Sequence, residues 1–208
     1  MFSLEHLVCE VPSLDAAPGF RWYEIDGDDA DAVRAAGGGA SAGGEVIVAT
    51  RREASAIHEM LPTATGGPAT HLQFEIGNGK SGQAAVVAVR DRGLTPIPAC
   101  HLAATPSTFS HLRRVGEDLA ALGSPIVKVV FPASEDRHVR WAEQLLQDWP
   151  HDQVGLSLTP AGHRQGRVRA ALAGSRLVFA PLVSTSERMS AFWYRQLIVS
   201  STPGPKDC

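Results

Sequence analysis

Cysteine is scarce in this chain: there are three in 208 residues, Cys9, Cys100 and Cys208. That is too few for a disulfide framework, and the spacing suits no zinc motif, so a reducing, cytoplasmic setting is expected. Long apolar runs are missing too; none approaches the roughly 18 residues that a membrane-spanning helix requires, so no membrane partner is expected. There is no basic excess, since 19 lysines and arginines face 22 aspartates and glutamates for a net charge of −3. Such a surface does not neutralise a phosphate backbone, which removes nucleic acid from the expected partners. The opening residues, Met1-Phe2-Ser3-Leu4-Glu5-His6, hold no basic stretch followed by an apolar one, and no signal peptide is expected.

What is present is globular: 44% hydrophobic and 20% charged residues, enough for one sizeable core. The expected organisation is one domain over residues 1–199 and a loose polar tail over 200–208, with Pro203 and Pro205 inside it. Short apolar runs begin near Leu4, Phe20, Glu45, His71, Thr95, Ile126, Gln153 and Leu177 and read as strands. Helical patterns separate most of them, over Ala54–Leu61, Gln83–Asp91, a segment capped by Thr105 with Pro106 first in the helix, a segment capped by Ser134, Gln165–Ala173 and Ser190–Val199. Strands alternating with helices imply an α/β fold with a parallel sheet, closed most simply as a small (β/α)8 TIM-type barrel. The first β/α unit is shortened, because Cys9 and Phe20 leave room for about a turn that includes Pro12 and Pro18. An open doubly wound sheet is the alternative. The Gly37–Gly44 stretch reads as a surface loop.

One run stands out: Pro125-Ile126-Val127-Lys128-Val129-Val130-Phe131, β-branched and apolar around a single lysine. A strand of this kind is buried on both faces, where desolvation favours the neutral amine, and a neutral amine attacks carbonyls to form Schiff bases. The competing reading is an edge-strand lysine that guards against aggregation. In a barrel the chemistry sits at the C-terminal ends of the strands, and several polar residues fall there: Asp26, Arg51, Glu75 and His101. An imidazole, an amine and an arginine around one mouth suit proton abstraction beside a carbonyl in a carboxylate-bearing substrate. Singly, His101 also reads as a loop histidine, Arg51 beside Arg52 as a solvated pair, and Glu75 as a capping acid. Asp26, His71, Glu75 and His101 could together suggest a metal, but without HxH or HExxH spacing no metal is expected.

The stretch from Cys100 to Ser175 resembles the type I 3-dehydroquinate dehydratase family. His101-Leu102-Ala103-Ala104-Thr105-Pro106 matches its histidine followed by Thr-Pro, and Pro125-Ile126-Val127-Lys128 matches its sixth-strand lysine motif. Arg167 and Gly174-Ser175 match its seventh loop, with Gly166 in place of the family's serine, and Thr50-Arg51 matches its third-strand arginine. The resemblance implies a (β/α)8 Schiff-base lyase of the shikimate pathway that dehydrates 3-dehydroquinate. Lys128 would condense with the ketone and His101 would move the protons. Arg51 and Arg167 would hold the carboxylate, with Ser186 contributing from the lid loop. It implies no cofactor, a cyclic keto carboxylate as the small-molecule partner, and a homodimer. The chain departs from the pattern at Trp22-Tyr23-Glu24-Ile25-Asp26, which keeps only the final aspartate of an acid-x-Arg-x-Asp strand. It departs again at Ser55-Ala56-Ile57, in place of Glu-Gly-Gly, and at Ser190, in place of a lid glutamine. Those departures open two alternatives: an aldolase-like lysine barrel acting on another ketone, and a catalytically impaired protein that binds or senses a metabolite.

Overall fold

The computed structural model describes residues 3–12, 19–29, 44–65, 68–76, 79–186 and 188–201. Its strands are β1 (Leu7–Glu10), β2 (Trp22–Asp26), β3 (Glu45–Glu53), β4 (His71–Glu75), β5 (Thr95–His101), β6 (Ile126–Pro132), β7 (Gly155–Ala161) and β8 (Val178–Pro181). Helices α1 (Ile57–Thr65), α2 (Gly79–Arg90), α3 (Phe109–Ala120), α4 (Asp136–Asp148), α5 (Arg164–Leu172) and α6 (Ala191–Ser201) fill the connections from β3 onward. No helix is described between β1 and β2, in keeping with a shortened first unit. The expected glycine-rich loop, but for Gly44, and the tail beyond Ser201 lie outside the described residues; Ser200 and Ser201, expected in that tail, belong to α6.

All pairings are parallel, and the strand order β7-β6-β5-β4-β3-β2-β1-β8 joins the last strand to the first. An open doubly wound sheet would not pair β1 with β8, so the structure is the barrel. Its seam is nearly closed. The Arg176 N–H donates to the Leu156 carbonyl at 2.8 Å, the Leu177 N–H to Ser157 Oγ at 3.0 Å, and the Leu158 N–H to Ser175 Oγ at 3.0 Å. Two buried serine hydroxyls thus stand in for ladder bonds that β7 and β8 do not make directly.

Alternate residues on each strand feed different cores, because side chains point to opposite faces with a period of two. The outward set, including Tyr23, Ile25, Phe74, Val127, Val129 and Phe131, packs under the helices as the main core. Burying a large apolar side chain of this kind contributes about 1.5–3 kcal/mol. Cys9 belongs to this layer, and burial pushes its thiol up to about 11, which makes it a packing residue and not a nucleophile.

The helices expected from Ala54 and Gln83 begin at Ile57 and Gly79, and two expected caps are replaced by others. Thr105 does not cap α3: Pro106 is buried in the loop that leads the chain out of the barrel mouth, and Thr108 is the cap, its Oγ1 accepting from the His111 N–H at 3.1 Å. Likewise α4 is capped at Glu135, whose N–H donates to His138 Nδ1 at 3.2 Å, and not at the exposed Ser134. Replacing Thr108 by alanine is expected to lower stability by about 1 kcal/mol, read as a melting temperature lower by about 2–4 °C. No helix among the described residues is long and apolar enough to cross a membrane.

Candidate active site

Inside the barrel, below the C-terminal ends of the strands, lies an apolar layer. Val8, Trp22, Ile47, Ile97, Ile126, Leu177 and Phe179 form a cluster of their own that plugs the lumen. Trp22 is part of this plug and meets His71 edge-on, with ring centroids 4.8 Å apart. Later in the strands the inward residues turn polar, and the change from one to the other makes the floor of a site.

Lys128 lies on that floor. Its register neighbours Ala99 and Ser157 are small and fully buried, which leaves the lumen open to a long side chain. β2 lies four strands round the sheet from β6, on the opposite wall, and the lysine spans the lumen to reach it. Nζ donates to Gln73 Oε1 at 2.8 Å and to Glu24 Oε2 at 3.3 Å, and it stands 3.4 Å from the centroid of the Phe179 ring. The side chain belongs to an interior strand, and the residue is only 6% exposed, so the edge-strand reading is overturned. Burial holds the amine below the ordinary lysine range, opposed chiefly by the Glu24 charge. Burial likewise holds the Glu24 carboxyl above its ordinary range, opposed chiefly by Lys128. Each partner is thereby pushed toward its neutral form.

Above the amine opens a cavity of about 420 Å³, lined among others by Glu10, Glu24, Asp26, Asp28, Arg51 and Lys128. That volume suits a small molecule. Several of its charges are already engaged: Asp28 accepts from Arg52 Nε and from Thr50 Oγ1, both at 3.0 Å, and Glu10 is paired with Arg188. Arg188 also donates to the Phe179 carbonyl at 3.3 Å and so fastens the β8–α6 loop across the barrel rim to β1.

Of the residues expected from sequence, Lys128, Arg51 and Asp26 line this cavity together. His101 and Glu75 do not line it but pair with each other: His101 Nδ1 is 2.6 Å from Glu75 Oε2, and the His101 N–H donates to Glu75 Oε1 at 2.6 Å. A carboxylate on Nδ1 makes that nitrogen the proton-bearing one and leaves the Nε2 lone pair available as a base. Because Lys128 pairs in register with Ala99, His101 stands two residues nearer the mouth on the same inward face of the barrel wall. Arg167 is not brought to this group. It sits on α5 and lines a separate small cavity behind the seam with Leu158, Ser175 and Phe179. Ser190 caps α6 through the Trp193 N–H at 3.2 Å, and Ser186 is exposed in the β8–α6 loop. His71, weighed with Asp26, Glu75 and His101 for a metal, stands at the opposite end of β4 from Glu75. Among the described residues no group of three or more histidine, cysteine or acidic side chains is placed to hold a metal ion.

Glu24, Gln73 and Arg188 were not singled out from sequence. Only the inward alternation Trp22, Glu24, Asp26 could have flagged the first, since its partner is 104 residues away.

The lower end of the barrel carries a pH dependence. Burial lowers the pKa of His71, opposed by Glu45, and burial also lowers that of His6. Both gain protons more readily when unfolded, so stability is full above the ordinary histidine range and falls as pH drops through about 6.5. The slope is at most about 1.4 kcal/mol per pH unit for each group. Denaturant titrations at pH 7.5 and 5.5 should show the loss, and His71→Phe should lessen it.

No family model matches the chain, and no curated protein matches it by sequence. Solved structures do match. A 3-dehydroquinate dehydratase from Enterococcus faecalis superposes with a TM-score of 0.75 at 14% identity, covering 95% of this chain and 94% of that one. The enzyme of that name from Geobacillus kaustophilus HTA426 gives 0.73 at 13%, with coverage of 96% and 93%. A type I 3-dehydroquinate dehydratase from Clostridium difficile, solved with covalent modified comenic acid, gives 0.70 at 12%, with coverage of 94% and 91%. Over nearly its whole length, the chain has the (β/α)8 fold of the 3-dehydroquinate dehydratases.

Proposed function

We propose that the chain is a Schiff-base lyase acting on a small cyclic keto carboxylate, with 3-dehydroquinate the first candidate. The observation that carries this reading is the Lys128 amine, buried on the floor of a cavity at the C-terminal ends of the strands and held below its ordinary pKa. A neutral amine there condenses with a ketone, and the resulting iminium acidifies the adjacent C–H. His101, its ring fixed by Glu75, takes that proton and returns one to the departing hydroxyl. Arg51, on the cavity wall, is the cation for the carboxylate, while Asp26 accepts hydrogen bonds from substrate hydroxyls. Ser186 contributes from the β8–α6 loop. No metal or organic cofactor enters this reaction, since the lysine is the electron sink. The same reading includes a cytoplasmic location, one domain over residues 1–199 and a homodimer.

A second reading is favoured by one position. Where the family's second strand has arginine, this chain has Glu24, directly on Lys128. That change suits a lysine barrel whose ketone differs from dehydroquinate. An ultraviolet assay for the conjugated enone product separates the two readings. Absorbance growth with 3-dehydroquinate at ordinary enzymic rates supports the first; turnover of other keto acids or keto sugars with none for dehydroquinate supports the second.

A further inference from the structure

We infer that Glu24 is a catalytic residue: it carries the proton during imine formation at Lys128, in the place where the family pattern has an arginine. The inference rests on the Schiff-base reading above. Glu24 Oε2 lies 3.3 Å from Nζ, and both side chains line the cavity into which a carbonyl must enter. Among the described residues, Nζ makes two other contacts. Gln73 Oε1 accepts from it at 2.8 Å, and the Phe179 ring closes its underside. An amide oxygen and a phenyl ring cannot take up a proton, so within the lysine's contacts the carboxylate alone can.

Other charged groups face the pair from every side. Glu10 stands on β1 with Arg188 paired to it, Asp26 stands on β2, and Arg51 on β3. Arg188 is held by Glu10 in an ion pair, so it is not in contact with Lys128 or Glu24. Arg51 disfavours the ammonium form and Glu10 favours it. The decisive neighbour is the one in contact.

The step balances without any co-reactant. A proton passes from the Lys128 ammonium to the Glu24 carboxylate, leaving amine and carboxylic acid. The amine lone pair forms the C–N bond, and the carbonyl oxygen takes the Glu24 proton to give a neutral carbinolamine once the nitrogen proton has passed to Glu24. Glu24 then protonates the hydroxyl, which leaves as water while the nitrogen lone pair forms the C=N bond. The sum is ammonium plus ketone giving iminium plus water, with the positive charge conserved and Glu24 returned as a carboxylate beside the new cation.

The competing role, a counter-ion that merely holds the lysine, predicts the opposite sign for one substitution. Glu24→Gln keeps a hydrogen-bonding amide and the side-chain length but removes both the charge and the proton. If Glu24 only stabilises the ammonium, that variant releases more neutral amine and traps ketone faster. If it carries the proton, trapping slows by about 100-fold or more. The measurement is the rate at which borohydride fixes 3-dehydroquinate on Lys128, followed by intact mass, in wild type and Glu24→Gln with matched circular dichroism. A slower variant supports the inference, whereas an equal or faster one overturns it and leaves the Schiff-base reading standing. An absent wild-type adduct defeats that reading and this inference together. Should Glu24→Gln fail to fold, the wild-type pH profile of the trapping rate decides. Joint need for an amine and a carboxylic acid gives a bell, and a counter-ion gives a rate that only rises with pH.

Discussion

Replacing Lys128 by methionine is expected to reduce turnover to background, a loss on the order of 10⁵-fold or more, because the covalent route disappears with the amine. The substitution nearly preserves shape, so its effect on stability reports the buried pair. Glu24 loses the cation 3.3 Å away, the chief charge that opposes its desolvation. Breaking a buried pair from one side costs about 3–5 kcal/mol. The sign with pH is fixed. A carboxyl whose pKa is raised by folding binds protons more readily when native, so the variant's deficit is greatest above that raised pKa and shrinks as the solution is acidified. Urea titrations of wild type and Lys128→Met at pH 8 and pH 5 check this, with the gap between them smaller at pH 5. An unchanged gap would mean that Glu24 has another partner.

His101→Ala is expected to lower kcat by about 10²–10⁴-fold while leaving the adduct on Lys128 still able to form. This split follows from the geometry. The imidazole is bonded to Glu75 and is not among the contacts of Nζ, so it serves the C–H and hydroxyl protons and not the condensation. Steady-state rates combined with trapping yields separate the two steps. Loss of both in a folded His101→Ala protein would place the histidine in imine formation and contradict the division of labour described here. Glu75→Gln should weaken the same step less, by leaving the ring able to rotate and to hold either tautomer.

Part of this site could be read from the chain because it is encoded locally. A β-branched run around one lysine specifies a buried strand, and parallel strands place that strand in a wall covered on both faces. Lys128 and the barrel were therefore legible together. The helix caps were missed by one to three residues, because Thr105-Pro106 carries every local mark of a helix start while the chain still has to leave the barrel mouth there. Glu24 was hidden for a different reason. It lay unremarked within the second strand, and its meaning depends on a wall four strands away. His101 was visible as a candidate acid and base and Glu75 as a polar residue at a strand end, but not as partners; adjacency of β4 and β5 is what joins them. Arg167 shows the reverse failure. Its order along the chain matches the family pattern, yet α5 turns it to the seam, and Arg51 is the arginine that lines the cavity.

The most direct test of the Schiff-base reading is peptide mapping after borohydride reduction of the folded wild-type protein with 3-dehydroquinate. The account predicts one stable adduct, confined to the peptide that contains residue 128 and absent from Lys128→Met. An unmodified peptide there, from protein shown to be folded and tested across a panel of cyclic keto acids, would contradict it.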